Sequence, residues 1–104
     1  MTTYDQITIM AIFQMPRFKT YVNKLPRPFQ QIILDAVEAV AADPERGELK
    51  KGDLGGFRVY KFTKNRQLAL MAYKQEKDSL ILYQVGPHEN FYKNLKNYLK
   101  EIGG

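Results

Sequence analysis

The alternation of apolar and polar positions predicts the first elements of the chain. Residues 6–13 place apolar side chains at every second position and are rich in β-branched residues, which indicates a strand. From Pro16, apolar residues follow at helical spacing as far as Leu25, and the Pro26 that comes next ends this first helix. Residues 29–42 carry the clearest helical stripe of the chain, so the two helices form a short hairpin.

A polar loop at residues 43–56 is followed by three strand-like runs, whose short polar connectors predict an antiparallel meander. The runs span residues 57–62, 68–74 and 79–85. Residues 88–102 then show helical spacing and end at a Gly-Gly pair. The order β-α-α-β-β-β-α predicts one α+β domain over residues 1–104, with its helices grouped on one face. We expect a mostly antiparallel four-stranded sheet with the helical hairpin packed on it and a C-terminal helix.

Composition excludes several classes of protein. The chain has 104 residues and no cysteine, so disulfides, thiolate zinc sites and thiol nucleophiles are ruled out. Its most apolar early stretch, residues 7–13, is far shorter than the ~20 residues that a membrane span needs. No secretory signal pattern surrounds that stretch. We therefore expect a cytoplasmic protein with no membrane partner.

The charge pattern suggests an anionic partner. Sixteen basic and eleven acidic residues give a net charge of +5. Acidic residues are absent between Asp5 and Asp35 and again between Asp53 and Glu76, while basic residues occur throughout both windows. Such a distribution is typical of a face with positive potential that binds phosphates or an acidic protein. A solvated basic surface is the plainer interpretation of the same pattern.

His88 is the only histidine and follows the last predicted strand. Tyr92 lies four residues later, so both rings share one face of the first helical turn if the helix begins at Pro87 or His88. Histidine is the side chain best suited to proton transfer near neutral pH. Leu95 and Leu99 continue along the same helical face, however, so the two rings also fit an alternative role at the edge of the core.

Other kinds of catalytic site are poorly supported. A zinc or magnesium site needs more histidine or clustered carboxylates than the chain offers, and Ser79, the only serine, lies outside any nucleophile motif. What remains is a histidine, tyrosines and many cations. This set suits RNA transphosphorylation without a metal or cofactor, in which preorganised positive charge stabilises the phosphorane.

Three runs of the sequence resemble the RelE/ParE superfamily of bacterial type II toxins. They read GDLGGFRVYKF at residues 52–62, LALMAY at residues 68–73 and VGPHENFY at residues 85–92. The resemblance extends from about residue 7 to residue 99 in the family's element order, and the last run is its most specific part. It implies a ribosome-dependent endonuclease that cuts mRNA and is held inactive by a cognate, acidic antitoxin protein.

The resemblance also assigns roles to residues. In YafQ-like relatives a histidine after the last strand is the proton donor and an aromatic four residues later orients the mRNA, positions that His88 and Tyr92 match. A basic or histidine residue of the first meander strand belongs to the site as well. Its candidates are Arg58, Tyr60 and Lys61, and the sequence does not choose between them.

In YoeB-like relatives a glutamate ahead of a Leu-Lys pair is the base, and Glu48 is the nearest equivalent, offset by about one residue. One departure concerns the arginine that other relatives place at the start of the second meander strand to hold phosphate. Gln67 occupies that register here, with Arg66 beside it. Adjacent strand residues point to opposite faces, so Arg66 replaces that arginine only if the hairpin bends. The further candidates for RNA or phosphate binding are Lys50, Lys51, Tyr60 and Lys64.

Two alternatives of other classes stay open. The ParE branch shares the fold but inhibits DNA gyrase without cutting anything, and its members generally lack the His/Tyr pair after the last strand. A non-catalytic RNA-binding module also fits the charge. His88 and Tyr92 favour the nuclease.

Overall fold

The computed structural model describes residues 11–103. The helices and strands come in the order β1 (Ala11–Gln14), α1 (Pro16–Asn23), α2 (Arg27–Ala42), β2 (Glu48–Leu49), β3 (Arg58–Lys64), β4 (Gln67–Glu76), β5 (Ser79–Pro87) and α3 (Phe91–Gly103). Short 3-10 turns flank β2 on both sides, at Pro44–Arg46 and Gly52–Leu54.

The sheet confirms the predicted α+β class but has five strands, in the order β1-β5-β4-β3-β2. β1 pairs with β5 in parallel and every other pair is antiparallel. The additional strand is β2, which lies inside the predicted polar loop and is too short to show a period of its own. Residues 6–10 of the predicted first strand lie outside the described residues.

The sheet separates two hydrophobic cores. Five consecutive residues of β4, 69–73, are buried, because alternate side chains of this central strand enter opposite cores. Met71 and Tyr73 pack with the α1–α2 hairpin, whereas Leu70 and Ala72 pack with α3. The expectation that the helices group on one face is therefore wrong. A strand buried on both faces requires a covering layer on each side.

The last helix begins at Phe91, not at Pro87 or His88 as one prediction required. The His88 N–H donates to the Leu68 carbonyl (3.1 Å), so the β4–β5 ladder continues one residue past Pro87. A turn follows in which the Phe91 N–H donates to the His88 carbonyl (3.2 Å) and Asn90 takes a φ of 59°. Asparagine tolerates this left-handed conformation better than most residues. His88 and Tyr92 consequently do not share a helix face.

The β3–β4 hairpin is also tighter than the polar connector between the two predicted strands indicates. Lys64 pairs with Gln67, which leaves a two-residue turn of Asn65 and Arg66 with φ angles of 51° and 68°. Two successive positive φ angles are the mark of a type I′ turn, whose twist matches that of the strands.

Candidate functional site

Four side chains named in the sequence analysis meet at the start of α3. The Lys50 ammonium is 2.8 Å from a Glu48 carboxylate oxygen and 5.1 Å from the centre of the Tyr92 ring. The Lys61 ammonium is close enough to help lower the pKa of Glu48. Lys61 pairs across the ladder with Leu70 of the α3-side core, and directly opposed strand residues share a face. We call Glu48, Lys50, Lys61 and Tyr92 the α3-side cluster.

The α3-side cluster changes the acidity of its own members. A hydrogen bond from Lys50, together with that ammonium's charge, lowers the pKa of Glu48, against a small opposing effect of burial. The same bond raises the pKa of Lys50; partial burial opposes this rise, and the Tyr92 hydroxyl adds to it. The carboxylate and the ammonium are thus held in their charged forms. In such a pair, a phosphate can replace the carboxylate as the partner of the lysine.

A buried tyrosine anchors the turn that leads into the cluster. The Tyr73 hydroxyl donates to the Pro44 carbonyl (2.6 Å) and accepts from the Gly47 N–H (2.9 Å). Arg58 donates through Nη1 to the Gly47 carbonyl (2.8 Å). A Cβ at Gly47 would lie 2.7 Å from the Tyr73 hydroxyl oxygen, so only glycine permits this approach. Glu48 follows immediately, and its position is set by these bonds.

β3 divides its basic and aromatic residues between the two faces of the sheet. Arg58 pairs with Tyr73, which lies in the α1–α2 core. The Tyr60 ring packs against that same core and stacks on Phe62, with 5.9 Å between ring centres. The Lys64 ammonium lies over the Phe29 ring of α2, 5.1 Å from its centre. Arg58, Tyr60 and Lys64 therefore lie on the face away from the α3-side cluster, and of the three β3 candidates only Lys61 joins it.

His88 lies on the exposed rim where β5 passes into the turn before α3. Its ladder partner Leu68 is paired with Thr63, two rows beyond the row that joins Lys61, Leu70 and Gly86. His88 and Lys61 are separated by two strand spacings of ~4.8 Å each and by two residues, ~6.8 Å, along the strands. Their Cα atoms are therefore about 12 Å apart.

The remaining candidates lie around this rim and loop. Arg66 is in the type I′ turn, outside any strand, and Gln67 is exposed at the start of β4. Lys51 is exposed and precedes the turn Gly52–Leu54. Within residues 11–103, no three His, Asp or Glu side chains lie close enough to hold a metal ion together. In this same part of the chain, no helix has the length and apolar character of a membrane span.

A family model decides the identity of this fold. The model for the ParE-like toxin of type II bacterial toxin–antitoxin systems matches residues 12–96. The chain belongs to this toxin family. The match contains both the Glu48–Lys50 segment and the His88–Tyr92 segment. No curated protein sequence matches the toxin.

Solved structures of toxins share its fold at low sequence identity. A mutant of the E. coli toxin RelE in the free state superposes with a TM-score of 0.67 at 14% identity, covering 88% of this chain and 96% of that one. The YoeB/ParE toxin from Agrobacterium tumefaciens gives a TM-score of 0.63 at 17% identity, covering 76% and 99% of the respective chains. The E. coli RelBE toxin–antitoxin complex gives 0.61 at 17% identity, covering 78% and 99%.

Sequence reasoning did not identify two polar side chains buried in the toxin. Tyr73 lies inside an apolar strand, where a tyrosine generally needs a partner for its hydroxyl. Gln84 is the second. Its side-chain amide, in a strand where every near neighbour is apolar or aromatic, is the signal that would have found it.

Proposed function

We propose that this toxin is a ribosome-dependent mRNA endonuclease that inhibits translation by transphosphorylation, without a metal ion. The 2′-hydroxyl of one nucleotide attacks the adjacent phosphorus and gives its proton to a base. The bond from phosphorus to the 5′-oxygen breaks, and an acid protonates that oxygen. The products are a 2′,3′-cyclic phosphate and a 5′-hydroxyl end.

Each role falls to a residue of the α3-side cluster or of the rim. His88 is the general acid, Glu48 the base, and Lys50 and Lys61 stabilise the charge of the phosphorane. Tyr92 orients the RNA by stacking. Arg66, Gln67 and Lys51 contact the phosphates on either side. Arg58 acts through the loop, by holding the turn before Glu48.

The observation that carries this proposal is the convergence of Glu48, Lys50, Lys61 and Tyr92 on the sheet face next to the His88 rim. Residues from three separate segments of the chain meet there. The gap of about 12 Å between the Cα atoms of Lys61 and His88 is one that two long side chains can span to a single phosphodiester. The site is open and sparse, so the ribosome must supply the orientation of the substrate, which is worth several kcal/mol.

The test is cleavage of a defined mRNA by the purified toxin, with and without programmed ribosomes. We expect cleavage in the decoding site of the ribosome that leaves 2′,3′-cyclic phosphate and 5′-hydroxyl ends, and little cleavage of the naked RNA. Efficient cutting of free RNA, or products with 3′-hydroxyl and 5′-phosphate ends, contradicts the proposal.

A second candidate function is inhibition of DNA gyrase, because the matching family model is the ParE-like one. Pulse labelling after induced expression separates the two. A nuclease lowers leucine incorporation first, whereas a gyrase inhibitor lowers thymidine incorporation while protein synthesis continues.

We also propose that a cognate acidic antitoxin neutralises this toxin. The acid-free windows of the sequence and the net charge of +5 favour an antitoxin segment with net negative charge. The affinity should then fall as salt rises. Salt-independent binding, or a neutral or basic binding segment, excludes this form of recognition.

A further inference from the structure

The turn that carries His88 is built from exposed residues. The side chains of His88, Glu89 and Asn90 all face solvent, and Asn90 takes a positive φ of 59°. Backbone hydrogen bonds close the turn at both ends. The His88 N–H donates to the Leu68 carbonyl (3.1 Å), and the Phe91 N–H donates to the His88 carbonyl (3.2 Å). Because exposed side chains do little to fix a turn, the position of His88 depends on how firmly Leu68 and Phe91 are held.

Gln84 of β5 holds the Phe91 end of this turn. Gln84 pairs with Ala72 of the α3-side core, and directly opposed strand residues share a face. The glutamine is only 7% exposed, and its Nε2 donates to the Phe91 carbonyl (3.0 Å). The Phe91 ring is itself buried in that core. The first residue of α3 is therefore fixed by its ring, and its carbonyl is tied to the strand from which the turn departs.

The fold does not require an amide at this position. The Gln84 Oε1 is buried and has no hydrogen-bond partner among residues 11–103. Phe91 is the first residue of α3, so its carbonyl also accepts from the N–H four residues later in the helix. An apolar side chain of the same size would leave neither of these polar atoms buried and unpaired. A buried amide that the fold does not require indicates a role in function.

We propose that Gln84 is a positioning residue for the general acid, because through Phe91 it fixes the turn that presents His88 to the departing 5′-oxygen. Gln84 does not touch the RNA, since its side chain is buried. A displacement of ~1 Å in a catalytic geometry can slow a reaction ~10²-fold, so one well-directed hydrogen bond at the base of the turn has a large effect. This inference rests on the proposed nuclease function and adds to it a residue that acts through His88.

Gln84→Met separates this role from a structural one, because methionine keeps the size of the side chain and removes the amide. We expect the single-turnover rate on saturating programmed ribosomes to fall about tenfold to a hundredfold, with the affinity for the ribosome unchanged. The urea midpoint of unfolding should equal or exceed that of the wild type. A wild-type rate overturns the proposal. A loss of stability, or failure to fold, also overturns it, because the amide would then serve the fold.

Gln30→Met is the matched control. The Gln30 Nε2 donates to the Val22 carbonyl (3.0 Å) and to the Leu25 carbonyl (3.0 Å), so this glutamine also ties backbone carbonyls, but at the end of α1. Gln30→Met should leave the single-turnover rate unchanged, whatever it does to stability. An equal loss of rate in the two variants would overturn the proposal, because a general loosening of the fold would then explain both.

A cycle of double variants tests whether Gln84 acts through His88. If it does, Gln84→Met should slow the His88→Gln protein by less than about twofold, far less than it slows the wild type. Lys61→Met lies on β3, outside the turn, and in that background the two losses should multiply. Losses that multiply in the His88→Gln background, or that vanish in the Lys61→Met background, overturn the proposal.

Hydrogen exchange tests the turn without ribosomes or cleavage. The Phe91 N–H, which donates to the His88 carbonyl, should exchange about tenfold faster in Gln84→Met than in the wild type, while the amides of β4 exchange equally in both. Unchanged exchange at Phe91 overturns the positioning role and leaves the nuclease intact. If the wild type does not cut RNA on ribosomes, the nuclease and the catalytic part of this inference are both refuted. Faster exchange would then still establish Gln84 as the anchor of the turn.

Discussion

The two faces of the sheet use the same kinds of residue for different purposes. On the α1–α2 face, Arg58 and Tyr60 bind backbone or pack on rings, and their polar atoms serve the fold. On the α3 face, Lys61 and the Glu48–Lys50 pair remain accessible at the surface. Arg58, Tyr60 and Lys61 come from one acid-free stretch of sequence. The difference is set by strand alternation, which sends neighbouring residues of β3 to opposite sides.

This contrast shows why charge alone does not locate a site. Arg58, whose Nη1 already donates to the Glu45 and Gly47 carbonyls, has fewer donors left for a phosphate. Lys61, by contrast, is exposed and lies near the Glu48 carboxylate, whose pKa its charge helps to lower. A basic side chain therefore points to function when its position leaves its donors available. Substitutions on the two faces test this directly.

The largest expected effect is that of His88→Gln. Loss of the general acid should slow the chemical step by roughly 10²–10⁴, the usual contribution of one positioned acid. The fold should persist because the His88 contribution to it is a backbone hydrogen bond. Single-turnover cleavage on ribosomes measures the rate, and thermal unfolding provides the control. A folded variant that cleaves at the wild-type rate rules out the mechanism, and early melting supports a structural role for the ring.

The two lysines of β3 give a matched comparison between the faces. We expect Lys61→Met to slow cleavage about 10–10²-fold, less than the ~10²–10³ of a fully buried oxyanion donor because Lys61 is exposed. Lys64→Met, three residues along on the other face, should change the rate less than about threefold, since it loses contacts with the Tyr21 and Phe29 rings worth ~0.5–1 kcal/mol each. Equal losses in the two variants would show that both faces contact RNA.

The fold and part of the site were predictable from the sequence for identifiable reasons. Periodicity located α1, α2 and the meander, because each buries one regular stripe of side chains. Two features were not predictable in this way. β2 has only two residues, too few to show a period. The two-residue turn at Asn65–Arg66 depends on positive φ angles that an Asn-Arg pair does not predict. The predicted start of α3 was wrong because the β4–β5 hydrogen-bond ladder continues past a proline.

The choice among Arg58, Tyr60 and Lys61 required the register. The resemblance to known toxins gave the strand but not the face, and a shift of one residue exchanges the two faces. The pairing of Lys61 with Leu70, a residue of the α3-side core, places Lys61 on the α3 face. In contrast, the role of Tyr73 as anchor depends on a contact across 26 residues of chain, which no local pattern encodes.

A smaller effect is expected at the anchor on the α1–α2 side. Tyr73→Phe removes the hydroxyl that bonds both Pro44 and Gly47 and leaves a buried N–H without its partner. The free energy of unfolding should fall by about 1–3 kcal/mol, as measured by urea denaturation. Cleavage should slow as well, because Glu48 follows this turn directly. Tyr60→Phe is the control on the same face, and an equal loss of stability there would show that the anchor is not specific.

The smallest effect concerns the Glu48–Lys50 pair of the α3 face. Lys50→Met removes the bond that contributes most to lowering the pKa of Glu48, so that pKa should rise towards its ordinary value. Carboxyl NMR titration measures it, and Lys51→Met should leave it unchanged. A carboxyl with a depressed pKa contributes stability above its unfolded pKa and loses that contribution as the pH falls through the folded pKa. The stability gap between wild type and Lys50→Met should therefore narrow on acidification through that range. The alternative result is a stability difference that does not change with pH, together with the same Glu48 pKa in both proteins. It would mean that the carboxylate is not paired with Lys50 in solution and is already free to act as base.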